Sequence, residues 1–237
     1  MKIALIGYGK MGKIIEQQAL KRGHQIVAVV DVDSEAVFDS EAFASADVAI
    51  EFTAPDAAER NIRRAWQAGI PVVSGTTGWN EQLPLLQEEL KTNGQTLFWA
   101  SNFSVGVNIL FALNAYMATL MNRFKAYNVS IHEVHHINKK DIPSGTAITL
   151  AESIVAHLDH KTGWNTKPAE DEILIESLRL DDVVGSHDIV YDLPDIDTIT
   201  LSHNAKTREG FALGAIMAAE YAVGKKGFLS MKNLLRV

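Results

Sequence analysis

The sequence of 237 residues predicts an α/β fold in two parts: a doubly wound parallel sheet, then an α+β domain with a mixed, open sheet. Three observations carry this. Short β-branched runs alternate with amphipathic stretches over roughly the first hundred residues, the pattern of parallel strands joined by crossover helices. A glycine-rich turn, Gly7-Tyr8-Gly9-Lys10-Met11-Gly12, joins the first run to the first amphipathic stretch. Beyond Phe124 strand-like runs dominate and one clear helix interrupts them, which suits a mixed or antiparallel sheet.

Taken in order, KIALIG is a strand, too short and too glycine-bounded for a signal peptide. Met11, Ile14, Ile15 and Ala19 then recur at helical spacing before the strand HQIVAVVD. DVAIEFTAP leads into DAAERNIRRAWQAG, IPVVSGTTG into NEQLPLLQEELKTNG, and QTLFWASNF into an uncharged run from Phe103 to Asn122. That run has the length of a membrane span. Asn102, Ser104, Gly106, Asn108, Asn114 and Thr119 dilute it and no basic cluster flanks it, so a helix buried on most faces, between domains or subunits, is expected instead. YNVSIHEVHH, EILIESLRL, HDIVYDL and DTITLSH are the later strands, and AITLAESIVAHL is their helix. HKTGWNTKPAED reads as a flexible surface loop. The small-residue helix FALGAIMAAEYAVG, after Gly210, is expected to pack back on the first domain.

Composition narrows the function. A net charge of −7 without a basic run argues against nucleic-acid binding, which needs concentrated positive charge. The absence of cysteine removes thiolate chemistry and cysteine metal sites, and fits a reducing compartment. Any metal would have to use His, Asp or Glu.

The G-x-G-x-x-G turn lies where a Rossmann-type domain holds a pyrophosphate at a helix N-terminus, and Asp31 closes the second strand roughly 20 residues on. A glycine turn that binds nothing is the alternative, which the strand before, the helix after and the acid together disfavour. Asp31 would accept bonds from an adenosine ribose and repel a 2′-phosphate, whereas Lys10 could reach that phosphate or stay solvated. Dual use of NADH and NADPH, tilted to NADH, follows. Thr53, Gly75, Thr76, Thr77, Ser101, Asn102 and Phe103 follow other strands, so their backbone groups and hydroxyls are expected at the nicotinamide end. This assigns residues 1–104 and 209–237 to a dinucleotide-binding domain and 105–208 to a substrate-binding and oligomerisation domain.

EVHHINKKDIPSGTA, Glu133 to Ala147, raises a separate question, because His132 to His136 fits the zinc-protease pattern H-E-x-x-H. That chemistry needs both histidines one helical turn apart. Val129 and Ile131 instead alternate with Ser130 and His132, the period of a strand, which would separate His132 and His136 by ~13 Å. No metal is expected. Pro143 ends the strand, Ser144 or Thr146 caps the following helix, and the open N–H groups of its first turn form an anion cradle suited to a dicarboxylate. Histidine donates protons near neutral pH, and a lysine ammonium steadies developing charge. A solvated basic loop ahead of a capped helix is the plainer alternative, and spacing leaves open which of Lys139 and Lys140 points inward.

The pattern E-x-H-H-x-x-K-x-D-x-P-S-G-T, with GYGKMG, GTTG, NFSVGVN, VGSHDIVY and HNAKTREGFALGA, resembles the dihydrodipicolinate reductase family (4-hydroxy-tetrahydrodipicolinate reductase) across nearly the whole chain. The resemblance implies that His135 donates and accepts the proton, that His136 contacts substrate and that Lys139 is the catalytic lysine. Ser144, Gly145 and Thr146 would hold a substrate carboxylate. It also implies a cytoplasmic homotetramer of the lysine and diaminopimelate route that uses NADH or NADPH. Ile6 stands where the family often has glycine, Val32 where it often has arginine, and Ser101 where proline or alanine is common; the first two weaken the case for tight NADPH binding. Two other readings compete: a nucleotide-sensing protein without turnover, and the zinc protease.

Overall fold

The computed structural model describes residues 1–237 and divides the chain into two compact units, Met1–Val105 with Glu209–Val237, and Gly106–Arg208. In the first unit β1 (Lys2–Ile6), α1 (Lys10–Lys21), β2 (Gln25–Val30), α2 (Glu41–Ala44), β3 (Val48–Glu51), α3 (Pro55–Gln67), β4 (Val72–Ser74), α4 (Leu83–Asn93) and β5 (Thr96–Trp99) follow the alternation in the sequence. The inner strands β1, β3 and β4 are buried on both faces, as parallel strands under helices must be, while β2 at the sheet edge is only partly buried. Ile3 and Leu5 of β1 pack with Ile15 and Ala19 of α1, while Ala4 and Ile6 meet Ile62 and Trp66 of α3 on the other face. Pro55 opens α3 where its missing N–H costs nothing, and Gly94, at φ 63°, closes α4 in the left-handed conformation. Between β2 and β3 a 3-10 turn (Glu35–Asp39) and the single turn of α2 replace a full crossover helix. Phe38 and Phe43, ring centroids 5.0 Å apart, anchor this segment.

The second unit starts on α5 (Val105–Met121) and continues through β6 (Asn128–His135), α6 (Gly145–Val155), β7 (Gly163–Asn165), β8 (Glu172–Arg179), β9 (Gly185–Leu193) and β10 (Asp197–Ala205). Its strands run in the order β10-β9-β6-β8-β7, antiparallel across β10, β9 and β6 and parallel across β6, β8 and β7. Val129 and Ile131 of β6 join Ile173, Ile175, Ile189 and Tyr191 in a core covered by Leu110 and Ala118 of α5 and by Leu150 and Ile154 of α6. Buried Asn114 donates from Nδ2 to the Leu150 carbonyl at 3.1 Å and ties α5 to α6.

Helix α5 buries a single stripe within this chain and leaves Ile109, Leu113, Tyr116 and Leu120 exposed along another face. One expectation changes here. The stretch read as a flexible loop contains β7, which pairs with β8 from Gly163 opposite Glu172 to Asn165 opposite Leu174, while Trp164 packs on the core. Its polar composition hid a three-residue edge strand, too short to show a period.

The tail returns to the first unit. α7 (Glu209–Ala222) packs through Ala212, Ala215 and Ala219 into the cluster that holds Ile15 and Ala19, β11 (Gly227–Leu229) lies parallel to β5, and α8 (Met231–Leu235) follows. Gly214 makes the approach possible, since a Cβ there would fall 1.7 Å from the Phe103 carbonyl oxygen. The completed sheet runs β11-β5-β4-β3-β1-β2, all parallel. The chain leaves β1 toward β2 and then returns to its other side at β3, which opens a crevice at their carboxyl ends. No helix is long and apolar enough to cross a membrane.

Candidate active site

The crevice is a cleft of about 510 Å³ whose lining includes Gly7, Tyr8, Gly9, Asp31, Thr53 and Arg60. Gly7, at φ 92°, cannot carry a side chain: its Cβ would lie 2.1 Å from the Phe52 carbonyl oxygen, and a Cβ on Gly12 would lie 2.3 Å from that of Gly7. Gly9 caps α1 without a side-chain bond, and no acid occupies the first turn, so the first N–H groups stay open to an anion. Lys10 is exposed beside them, Met11 turns into the core, and the Tyr8 hydroxyl is hydrogen-bonded to Glu16. Asp31 stands exposed at the end of β2, with Oδ1 accepting from its neighbour's N–H, that of Val32, at 3.0 Å.

The loops after β3 and β4 depart from expectation. The hydroxyls of Thr53 and Thr76 point inward to Glu51 instead of outward: both donate to its Oε1, Thr76 at 2.7 Å, while Ser74 donates to Oε2 at 2.6 Å. The Thr53 N–H is shared between Thr76 Oγ1 at 2.8 Å and Glu51 Oε1 at 3.1 Å. The reason is the fully buried Glu51 carboxyl, which must collect donors where no cation reaches it. Burial pushes its pKa up, and the bonds from Ser74, Thr53 and Thr76 work in the opposite direction. One buried acid thereby stitches two cleft loops together. Thr77 and Ser101 remain exposed, the Asn102 side chain accepts from the Ser104 N–H at 2.8 Å, and the Phe103 ring is core, 5.7 Å from that of Phe52. A Cβ on Gly75 would reach within 2.2 Å of the Phe52 ring.

In the second unit β6 ends at His135, so His136 leaves the strand. Positions 129, 131, 133 and 135 share the buried face, which brings Glu133 under His135. Glu133 is fully buried and collects what surrounds it: Oε1 accepts from the Ser144 N–H at 3.0 Å, Ser177 Oγ at 2.7 Å and Arg179 Nη2 at 3.2 Å. Its Oε2 lies 3.2 Å from His135 Nδ1 and 3.8 Å from His187 Nε2. Burial alone would raise the Glu133 pKa, but His135, Ser144 and Ser177 together hold it well below the usual carboxylate range. For His187 burial, and then the neighbouring His135, lower the pKa to about 4, so the ring is neutral near pH 7.

Ser144 is the cap of α6, its Oγ accepting from the Ala147 N–H at 3.2 Å and lying 3.2 Å from His187 Nε2. Gly145 is exposed at the helix start, with open space where a Cβ would stand, and Thr146 follows half-buried. A turn closed by the Lys139 N–H on the His136 carbonyl, at 3.0 Å, presents Lys139, whose Nζ is 2.9 Å from Asp141 Oδ1. Lys139 is half-buried and Lys140 exposed. Although burial acts the other way, Lys139 and the Gly145 N–H hold the Asp141 carboxyl below its ordinary value. A carboxylate, a lysine and a helix start already meet here, the set of contacts that a substrate carboxylate would use.

Glu133, Ser177, Arg179, His187 and Arg208 are functional candidates that reading the sequence left unassigned. Glu133 was within reach, two residues before His135 on a period-two strand. Arg179 and His187 depend on register: β8 sets Arg179 opposite His135, and β9 sets His187 opposite Glu133. Arg208 Nη2 comes 3.1 Å from His136 Nε2. The zinc-protease geometry is absent: His132 lies on an extended strand, with Nδ1 2.7 Å from Glu176 and Nε2 3.1 Å from Ser130 Oγ. The donors of Glu133, His135 and His187 do lie within 4.8 Å of one another, close enough for a cation, but Arg179 already supplies positive charge to Glu133.

The chain is similar to known proteins along nearly its whole length. The model of the dihydrodipicolinate reductase N-terminus matches residues 1–103, and that of its C-terminus matches 106–235. A 4-hydroxy-tetrahydrodipicolinate reductase of Christiangramia forsetii is 46% identical over 236 residues, 99% of this chain and 98% of that protein. The protein of the same name from Staphylococcus aureus is 34% identical, over 99% of this chain and all of its own. The dipicolinate-bound dihydrodipicolinate reductase from a Paenisporosarcina species superposes with a TM-score of 0.77 over 98% of both chains at 23% identity, a likeness of fold. With both halves matched and the identity running end to end, the chain belongs to the dihydrodipicolinate reductase family.

Proposed function

We propose that the chain reduces 4-hydroxy-tetrahydrodipicolinate to tetrahydrodipicolinate with NADH or NADPH, water leaving the ring as hydride enters, as a step of lysine and diaminopimelate synthesis. The observation that carries the reading is Glu133 seated under His135 beside the start of α6, in a chain that also bears a dinucleotide turn. The first unit binds the nucleotide, through the glycine turn and Asp31, and the second binds the substrate. Bound nicotinamide supplies the hydride. Gly145 and Thr146 hold a substrate carboxylate at the helix start, with Ser144 fixing the cap, and His136 contacts the substrate. His135 transfers the proton, and Lys139 steadies the charge that develops when hydride arrives. Net chemistry consumes one hydride and one proton and releases one water.

NADH oxidation, with substrate made in situ by the preceding synthase, tests this. His135→Gln and Lys139→Ala should each lose most turnover while still binding cofactor. Unchanged turnover in either variant removes that residue's role, and cofactor binding without any turnover in the wild type would favour the nucleotide-sensing reading. NADH is the preferred reductant and NADPH a second one, because Asp31 faces the ribose; Asp31→Ala should shift kcat/KM toward NADPH. A cytoplasmic homotetramer is part of the same reading. The exposed stripe Ile109, Leu113, Tyr116 and Leu120 on α5 supports burial against another copy, and light scattering on wild type and Leu113→Glu tests it.

A further inference from the structure

We propose that Glu35 and Arg60 decide the choice between NADH and NADPH, Glu35 by holding Arg60 in an ion pair that withholds its charge from a 2′-phosphate. The inference rests on the nucleotide-binding reading above and deepens it. Both residues line the cleft that Gly7, Gly9 and Asp31 line. Arg60 projects from α3, Glu35 from the 3-10 turn after β2, and Arg60 Nη2 lies 2.7 Å from Glu35 Oε1. Val32, 87% exposed directly after Asp31, offers no charge. Among the lining residues Arg60 is the one cation, against the carboxylates of Asp31, Glu35 and Asp56.

The neighbouring arginine is not equivalent. Arg64 comes within 3.7 Å of Glu35, but it is fixed elsewhere, 3.0 Å from Asp39 and with its guanidinium 4.4 Å above the Phe38 ring. Of the two arginines Arg60 is the one free to turn toward a ligand, being largely exposed and held by Glu35 alone among the ion pairs. A bound NADH presents neutral ribose hydroxyls there and leaves the pair intact. A 2′-phosphate brings close to two negative charges, so it must draw Arg60 away and then face a bare Glu35 carboxylate beside Asp31. Arg60 is thus a latent phosphate ligand, and Glu35 the group that keeps it latent.

Glu35→Gln, Arg60→Ala and the double variant separate this from a general charge effect, with dissociation constants of NADH and NADPH read from nicotinamide fluorescence and kcat/KM measured for each. Glu35→Gln should bind NADPH at least fivefold tighter with NADH changed less than twofold, and the gain should vanish in the double variant. An unchanged NADPH-to-NADH ratio in Glu35→Gln overturns the proposal. So does a gain that survives loss of Arg60, which would assign it to the carboxylate alone. If the wild type binds neither nucleotide, the underlying reading fails and takes this one with it. Both side chains lie at the surface, and thermal melting checks that the variants fold.

Discussion

His135 Nδ1 lies 3.2 Å from Oε2 of the fully buried Glu133, two residues earlier on the same face of β6. The carboxylate favours the tautomer with the proton on Nδ1 and frees Nε2 for chemistry. Nε2 faces Gly185, where a Cβ would stand 3.0 Å away, so any side chain there would crowd that nitrogen. Glu133→Gln should therefore lower kcat about 10- to 100-fold with a smaller change in KM, and Glu133→Asp should recover part of the loss. Steady-state kinetics at fixed saturating NADH checks the split; a rise in KM alone would mean that Glu133 serves binding and not His135.

His187 should make the protein acid-sensitive. Its folded pKa of about 4 lies below the ordinary 6.5, so between these values the unfolded chain takes up a proton that the folded one refuses. Stability is full above pH 6.5 and falls as the pH drops toward 4, by on the order of 3 kcal/mol from this group. Glu133, with its lowered pKa, adds to the loss at still lower pH. Urea unfolding between pH 7 and 4 should show a shallower decline in His187→Gln, and equal slopes would exclude His187 as the source.

Glu51 should act in the opposite sense. Its folded pKa is raised, so the unfolded chain ionises first and stability declines as pH climbs above about 4.5. Glu51→Gln should narrow the difference in melting temperature between pH 5 and pH 8. Glu51→Ala, which strands the hydroxyls of Thr53, Ser74 and Thr76, should raise the KM for NADH several-fold, since two cleft loops lose their shared acceptor.

Gly214 tests the return of the tail. Gly214→Val would drive side-chain atoms into the Phe103 carbonyl, 1.7 Å from the Cβ position, and should destabilise the first unit by about 2 kcal/mol or more. Gly210→Ala, at a position with open space around it, should leave the melting temperature nearly unchanged.

What the sequence determined by itself follows from local rules. Strand and helix periods in the first hundred or so residues specify the parallel sheet, since each repeat shows within a few neighbouring residues. The turn Gly7 to Gly12 with Asp31, and a strand that stops short of Pro143 ahead of a capped helix, are legible for the same reason, whereas the end at His135 and the choice of Ser144 over Thr146 as cap came from the structure. Family resemblance, not spacing, chose Lys139 over Lys140. Tertiary structure alone decided the rest: β11 beside β5, β7 within an apparent loop, the inward hydroxyls of Thr53 and Thr76, and Arg179 and His187 around Glu133. Those partners lie 46 and 54 residues beyond Glu133 in the chain, and the register of β8 and β9 against β6 brings them together. A buried carboxylate requires donors. No local pattern says which distant strand will supply them.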